Sequence, residues 1–403
     1  MIQTIRFRSA VVALATAVLL LGACAGEEGG APTPREEGTE AIRGDKGDLV
    51  IVGGALADDN TPVYQAVLDG RSGQGPLCVL PTASGSPESS MGSYVSAFDA
   101  LGGPGTARGI LVTVDDPGRA SDPSLAQELG ACSGFFFTGG SQSRIADVFL
   151  PQGQETPAFQ TLRDRYEEGA VVSGSSAGAA ILSDPMIAGG SSEASLQEGI
   201  RREEEGEGVW LRQGFGFMDP GIVDQHFLAR GRWGRLLVAL LGSPEEDLGF
   251  GIDENTALVV RGDTARVVGA SGVVYLDARE ARPEEDGNGG EGVVLYLLGD
   301  GDGVELASGQ VIRDPGKSEL GSFPAPSRET DQEDLFASWS LLETLHAFGV
   351  APDSMISFRQ EEHVLEFRKG PGFQASAREE TGVRDTPRGL FLGPLLLRVR
   401  EES

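Results

Sequence analysis

Histidine is nearly absent. Three residues in 403, His226, His346 and His363, are the whole supply of imidazole for acid–base chemistry. Cysteine is as scarce, with Cys24, Cys78 and Cys132 only, so neither a zinc ribbon nor a His-rich metal site can be assembled from the usual ligand sets and spacings. Positive charge is short as well. With 32 Lys+Arg against 61 Asp+Glu the net charge is −29, and such a surface repels nucleic acid and anionic membranes. Nor is there an apolar run of the roughly 20 residues that a spanning helix needs. What the chain does have is glycine, 59 residues, which implies many tight turns, and an ordinary hydrophobic content of 39%. At about 150 residues per domain, a chain of this length makes two to three domains and can bury a large core.

The amino terminus reads as an address. Arg6 and Arg8 precede an apolar run from Ala10 to Leu21, the pattern of a secretory leader. The run ends Leu21-Gly22-Ala23-Cys24, which resembles a bacterial lipobox, with Cys24 as the lipidated residue. A plain cleaved secretory peptide is the alternative. The expectation is a signal peptide over 1–23, a Gly-, Glu- and Pro-rich tether over 24–47, and a protein exported and lipid-anchored to the cell envelope, at the outer membrane in a diderm. Export also makes a Cys78–Cys132 disulfide chemically allowed, although sequence does not show whether the thiols meet.

From Leu49 onward, short runs apolar on both faces alternate with segments of helical spacing. The runs are Leu49–Val52, Leu77–Leu80, Gly109–Val114, Phe135–Phe137 and Ala170–Val172; the helical spacings include Tyr94, Phe98 and Leu101, then Phe159, Leu162 and Tyr166. Strands apolar on both faces belong to buried parallel sheets, so the reading is repeated βαβ. Ligands then bind beyond the carboxyl ends of the strands, at Gly53-Gly54, Pro81–Ser86, Thr138–Gln142 and Ser173–Ser176. Gly262-Asp263, between Thr256–Arg261 and Ala265–Val268, reads as a hairpin at the sheet edge. The division is a catalytic domain over 48–279, a Pro/Glu/Gly linker over 280–292, and a C-terminal region over 293–403 with an amphipathic helix around Leu335, Trp339, Leu342 and Leu345.

Candidate chemistry centres on Ser176. Val171 to Leu182 runs from a strand through Gly174-Ser175-Ser176-Ala177-Gly178 into a helix, the context that gives G-x-S-x-G meaning as a nucleophile elbow. With glycine this frequent, the five letters alone are weak, and a plain Gly/Ser connection is the bland account. A second cluster, Asp224 to Leu236, sets His226 beside Arg230, Arg232 and Arg235. At 100° per residue these arginines do not share one helical face, which favours a loop-built pocket over a solvated basic helix.

At this point the chain resembles the cyanophycinase family, the S51 group of serine peptidases that also contains bacterial aspartyl dipeptidases. The likeness runs through Phe136–Gln142, Gly174–Ala180, Asp224–Leu236 and Gly251–Leu258. It implies an α/β fold that is flavodoxin-like, akin to class I glutamine amidotransferases, with a mostly parallel sheet sandwiched by helices and here an added C-terminal α+β region. It implies Ser176 as nucleophile, His226 as general base and Glu254 as the acid that orients it, with Glu193 as second choice. Gly140 and Ala177 N–H groups would bind the oxyanion; Gln142, Asp224, Gln225, Arg230, Arg232 and Arg235 would line an aspartyl pocket. The implied substrate is cyanophycin, arginine-bearing poly-aspartate, cut to β-Asp-Arg dipeptides without cofactor or metal. No nucleic-acid partner is expected, membrane contact is through the lipid only, and a homodimer is left open. Departures are the leader, Ser141 where many relatives carry an acid, and the region after the linker.

Two other classes compete. In an α/β-hydrolase esterase the histidine comes last in the chain, which would require His346 or His363. A binding lipoprotein of the same fold would have lost the chemistry. The address generates its own prediction: Cys24→Ser should release the protein from the membrane fraction in a detergent-partition assay, because the tether offers no other apolar anchor. Equal membrane recovery of both forms would sink the lipid-anchor reading.

Overall fold

A computed structural model describes residues 46–204, 206–285, 287–322 and 334–401. The expected leader, Cys24 and the tether up to residue 45 lie outside the described residues. Gly47, assigned to the end of the tether, already belongs to the fold, since its N–H donates to Tyr166 O (2.8 Å).

The first of two large sheets is built around Leu49–Val52. Val171–Ser175, Gly134–Phe137, Leu77–Leu80 and Ala107–Gly109 follow it in parallel on one side. Thr256–Arg261 pairs antiparallel on the other side and continues into Thr264–Gly269, the expected hairpin. The strands are apolar throughout because both faces are covered. Val50, Val52, Val79 and Phe136 pack under helices Thr61–Asp69 and Pro87–Gly102. Ile51, Leu80, Phe135, Phe137 and Val172 face the opposite layer, helices Pro123–Gly130, Gln142–Phe149 and Pro157–Glu167. This is the helix-sandwiched, mostly parallel, flavodoxin-like arrangement. Cys78, on its strand, is bonded to Cys132, just past helix Pro123–Gly130.

One strand is shorter than its sequence suggests. Gly109–Val114 was expected, but the ladder covers Ala107–Gly109. This is the sheet edge: Ile110 N–H still reaches Val79 O (2.9 Å), and beyond it the chain leaves the sheet with Leu111 and Val114 exposed.

The expected linker over 280–292 is also corrected. Ile222–Gln225 and Leu248–Ile252, a parallel pair, begin a second nine-stranded sheet that continues antiparallel through Gly272–Asp277, Gly290–Gly299, Phe391–Glu401 and His363–Ala377. Gly290–Gly299 lies in register against Gly272–Asp277, with Tyr275 opposite Tyr296, and Arg282–Pro283 folds back onto Gly290-Glu291. The alternating buried residues Val293, Leu295 and Leu297 require a partner face, and the sheet already started by the catalytic segment supplies it. The described residues accordingly form one unit. Within it, Lys317 Nζ donates to Asp302 Oδ2 (2.5 Å) with both side chains fully buried.

The helix expected around Leu335 starts later, at Ser340–Val350. Trp339 has φ 65°, a left-handed backbone that a helix interior excludes, and Leu335 to Trp339 form a strap of turns ahead of the helix. Among the described residues no helix is long and apolar enough to cross a membrane.

Candidate active site

The two sheets are stitched together where Leu49–Val52 ends. His226 N–H, after a strand of the second sheet, donates to Gly53 O (2.7 Å), while Gly53 N–H to Thr256 O (2.9 Å) and Asn255 N–H to Gly54 O (2.8 Å) extend the first sheet's antiparallel pair past Val52. Ser176 follows a strand of the first sheet, His226 follows a strand of the second, and Glu254 lies on the connection between them. The three residues read from sequence as a triad therefore meet at one seam.

Ser176 sits between strand Val171–Ser175 and helix Ala177–Ala180 with φ 58° and ψ −112°. A non-glycine residue there is strained by about 1–3 kcal/mol, and the surroundings must hold it. Its N–H donates to Val52 O (3.0 Å). The flanking glycines are required by contact: a methyl group at Gly174 would overlap the Gly178 backbone, and one at Gly178 would overlap the Phe137 carbonyl. Gly139 packs against the Ser176 side chain.

His226 Nε2 lies 2.9 Å from Ser176 Oγ, and Nδ1 lies 2.6 Å from Glu254 Oε1. With Glu254 ionised, the imidazole donates Nδ1–H to it and Nε2 is left to accept the serine proton. His226 too has a positive φ, 47°. Burial pushes its pKa below the ordinary value; hydrogen bonding to Glu254 raises it, and the charges of Arg230 and Arg232 lower it further. The base is thus kept neutral while its carboxylate partner is 30% exposed.

Glu193, the alternative acid, is elsewhere. Its carboxyl is hydrogen-bonded to Glu361, which raises its pKa, and it lines a separate cleft with Asp334, Phe336 and His363. His346 lies in helix Ser340–Val350 with Nε2 buried and without a hydrogen-bond partner among the described residues. His363 opens strand His363–Ala377. The imidazole on Ser176 is His226.

The six positions expected to line an aspartyl pocket separate into two groups. Asp224 and Arg235 are engaged inside the protein. Arg235 Nε donates to Asp224 Oδ2 (2.7 Å), Nη2 to Oδ1 (2.5 Å) and Nη1 to Gly190 O (2.7 Å), with 5% of the Arg235 side chain exposed. Such a buried bidentate pair spends the Arg235 charge on Asp224. Gln142 is also buried, donating Nε2 to Ile187 O (2.8 Å). Gln225 Oε1 approaches Ser176 Oγ at 3.5 Å. Arg230 is exposed, and Arg232 is half-buried, donating Nη1 to Gln225 O (2.7 Å), with its pKa lowered by burial to about 10. Of the six positions, these two arginines are the cations whose charge acts on His226.

Two participants escaped the sequence reading. Asp253 is fully buried beside Glu254: Oδ1 accepts from Ala229 N–H (3.0 Å), Oδ2 accepts from Ser271 Oγ (2.6 Å), and burial raises its pKa to about 6. Asn255, with φ 53°, holds the next turn by accepting from Ala57 N–H (3.0 Å) and Asn60 Nδ2 (2.8 Å). Only adjacency to Glu254 marked either in the sequence. Among the described residues no group of three or more His, Cys, Asp or Glu is placed to hold a metal ion.

A serine on a strand–turn–helix elbow, facing an imidazole backed by a carboxylate, is the architecture of a serine-type hydrolase. The sequence pattern of peptidase family S51 matches residues 49–268. The chain is 31% identical over 236 residues to a cyanophycinase from Trichormus variabilis, covering 58% of this chain and 74% of the relative. It is 31% identical over 290 residues to one from Synechococcus elongatus, covering 69% and 85%. To one from Geminocystis herdmanii it is 34% identical over 236 residues, covering 56% and 80%. This protein belongs to peptidase family S51 and is a serine-type peptidase.

Gly54, at φ 109°, faces the imidazole so closely that a methyl group would overlap the His226 ring. Gly54→Ala should therefore cut kcat by roughly 100-fold, the usual cost of displacing a reacting group by about 1 Å, while circular dichroism stays native. Undiminished turnover would show that the ring position is not critical. The charge balance makes a second prediction. Cations disfavour imidazolium, so Arg232→Ala should raise the His226 pKa, and Glu254→Gln, which removes the favourable partner, should lower it. NMR titration of the His226 ring reads both shifts, and displacement of either in the opposite direction would refute this account.

Proposed function

We propose that the protein hydrolyses cyanophycin or related aspartyl peptides through an acyl-enzyme on Ser176. The observation that carries this reading is the row Glu254 Oε1–His226 Nδ1 (2.6 Å) and His226 Nε2–Ser176 Oγ (2.9 Å). Ser176 Oγ attacks the carbonyl carbon as its proton passes to His226 Nε2; Glu254 keeps the Nδ1–H tautomer and stabilises the imidazolium. Ala177 N–H, the first of its helix and so without an intrahelical acceptor, and Gly140 N–H, next in the chain to the Gly139 that packs against Ser176, serve as oxyanion donors, each contributing about 3 kcal/mol in comparable hydrolases. The imidazolium then protonates the leaving amine, and water, activated by the same His226, releases the acyl group and restores Ser176.

The substrate assignment rests on the charge at the site together with the cyanophycinases that this chain resembles. In a chain of net charge −29, two arginines beside the triad are suited to an anionic substrate, because a guanidinium pairs with a carboxylate through two charge-assisted hydrogen bonds. We place the enzyme outside the cell on a lipid anchor at Cys24, where it would digest polymer released by other cells; the leader-like sequence before Cys24 supports this.

A fluorophosphonate probe should label Ser176, identified by peptide mapping, and His226→Ala should lose the label. Arg230→Ala or Arg232→Ala should raise KM for an aspartyl-arginine peptide roughly tenfold while a neutral ester is affected far less. Equal losses on both substrates would mean that the arginines hold structure rather than substrate.

A further inference from the structure

The match to family S51 ends at residue 268, yet the loop that carries His226, Arg230 and Arg232 is gripped by a segment far beyond it. Trp339 N–H donates to Leu228 O (2.8 Å) and Ser338 Oγ donates to Ala229 O (2.6 Å). At the end of the loop, Trp233 Nε1 donates to Leu335 O (2.9 Å) in a buried bond, and the Trp233 and Phe336 rings are 5.1 Å apart. Gly231, at φ 58°, passes so near the strap that a methyl group there would overlap the Phe336 carbonyl. The strap is closed on itself by Ser340 Oγ, which donates to Asp334 O (2.7 Å).

These bonds act on the peptide that precedes Arg230. Ala229 N–H is held from the inside by Asp253 Oδ1 (3.0 Å) and its carbonyl from the outside by Ser338. The loop closes on itself through the N–H groups of Arg230, Gly231 and Arg232, but its positive φ at His226 is strained for a non-glycine residue and persists only with support from outside partners. We propose that Leu335–Trp339 is a positioning strap for the His226–Arg232 loop. Ser338 and Trp233 are its positioning residues, and through them the C-terminal region sets how Arg230 and Arg232 are presented to an anionic substrate. The last clause rests on the proposed function; the strap itself does not.

The test uses the full-length protein and four variants: Ser338→Ala, Ser338→Thr, Trp233→Phe and, as a control, Val399→Ala, a buried site in the C-terminal sheet. Hydrogen exchange reads the loop without any substrate, through the amides of Arg230, Gly231 and Arg232, which bond to His226 O, Leu228 O and Phe227 O. Ser338→Ala and Trp233→Phe should speed that exchange about fivefold or more, the scale of one lost hydrogen bond, and Ser338→Thr should restore it. The same two variants should raise KM for an aspartyl-arginine peptide about fivefold with kcat within about twofold, and leave a neutral ester unaffected. Unchanged exchange in both variants, or an equal rise in Val399→Ala, overturns the strap. Faster exchange with unchanged KM overturns its link to substrate. Failure of the wild type to cleave the peptide at all would count against the proposed function, and the exchange comparison would still decide on the strap.

Discussion

The bond from His226 N–H to Gly53 O fixes where the two sheets of this protein meet, and the site is built on it. Ser176 is delivered by one sheet and His226 by the other, so the distance between nucleophile and base is a property of the seam. Only a backbone without side chains can be approached this closely: a Cβ at Gly53 would overlap the Asp253 carbonyl, and one at Gly54 would overlap the imidazole. The seam is stiffened on its far side by Asn255, whose side chain ties the turn after Glu254 to residues 57 and 60. Positive φ at Ser176, His226 and Asn255 is the cost of bringing three chain reversals to one point.

Charge at the seam is arranged in layers. Deepest are Asp224 with Arg235 and, separately, Asp253, a buried carboxyl held by one N–H and one hydroxyl. A lone buried carboxylate is expensive, which is why its proton is retained to about pH 6. Above this layer lie His226 and Glu254, and outermost Arg230 and Arg232. The order matters for chemistry, since Asp224 and Arg235 neutralise each other inside, while Arg230 and Arg232 further out act on an approaching anion and lower the proton affinity of the base.

The C-terminal region is part of this construction. Its strands complete the sheet that begins at Ile222, its Lys317–Asp302 pair is wholly buried, and its strap bonds the loop behind His226. Residues beyond the family match thus reach the site by extending a sheet whose first strands belong to the family. Sheet edges are adhesive, and an added strand that covers one also fixes whatever follows it.

The sequence alone determined the parallel layer, because strands covered by helices on both faces must be apolar at every position, as Leu49–Val52 and Phe135–Phe137 are. It also offered the elbow at Ser176, through G-x-S-x-G between strand and helix, and narrowed the base to three histidines, among which only the family resemblance pointed to His226. Tertiary structure decided the rest. Whether Glu254 or Glu193 backs the imidazole, and which arginines face outward, depends on contacts between segments remote in sequence, and residue type carries no record of them. Asp224 and Arg235 stand as pocket lining only through the family resemblance; that they pair with each other is a matter of packing. The same holds for the stretch 280–292, whose Pro, Glu and Gly content reads as a linker but whose end pairs in the sheet. Local composition specifies what a segment can become in isolation, and the partner across the sheet, chosen by the burial of Val293, Leu295 and Leu297, specifies what it is.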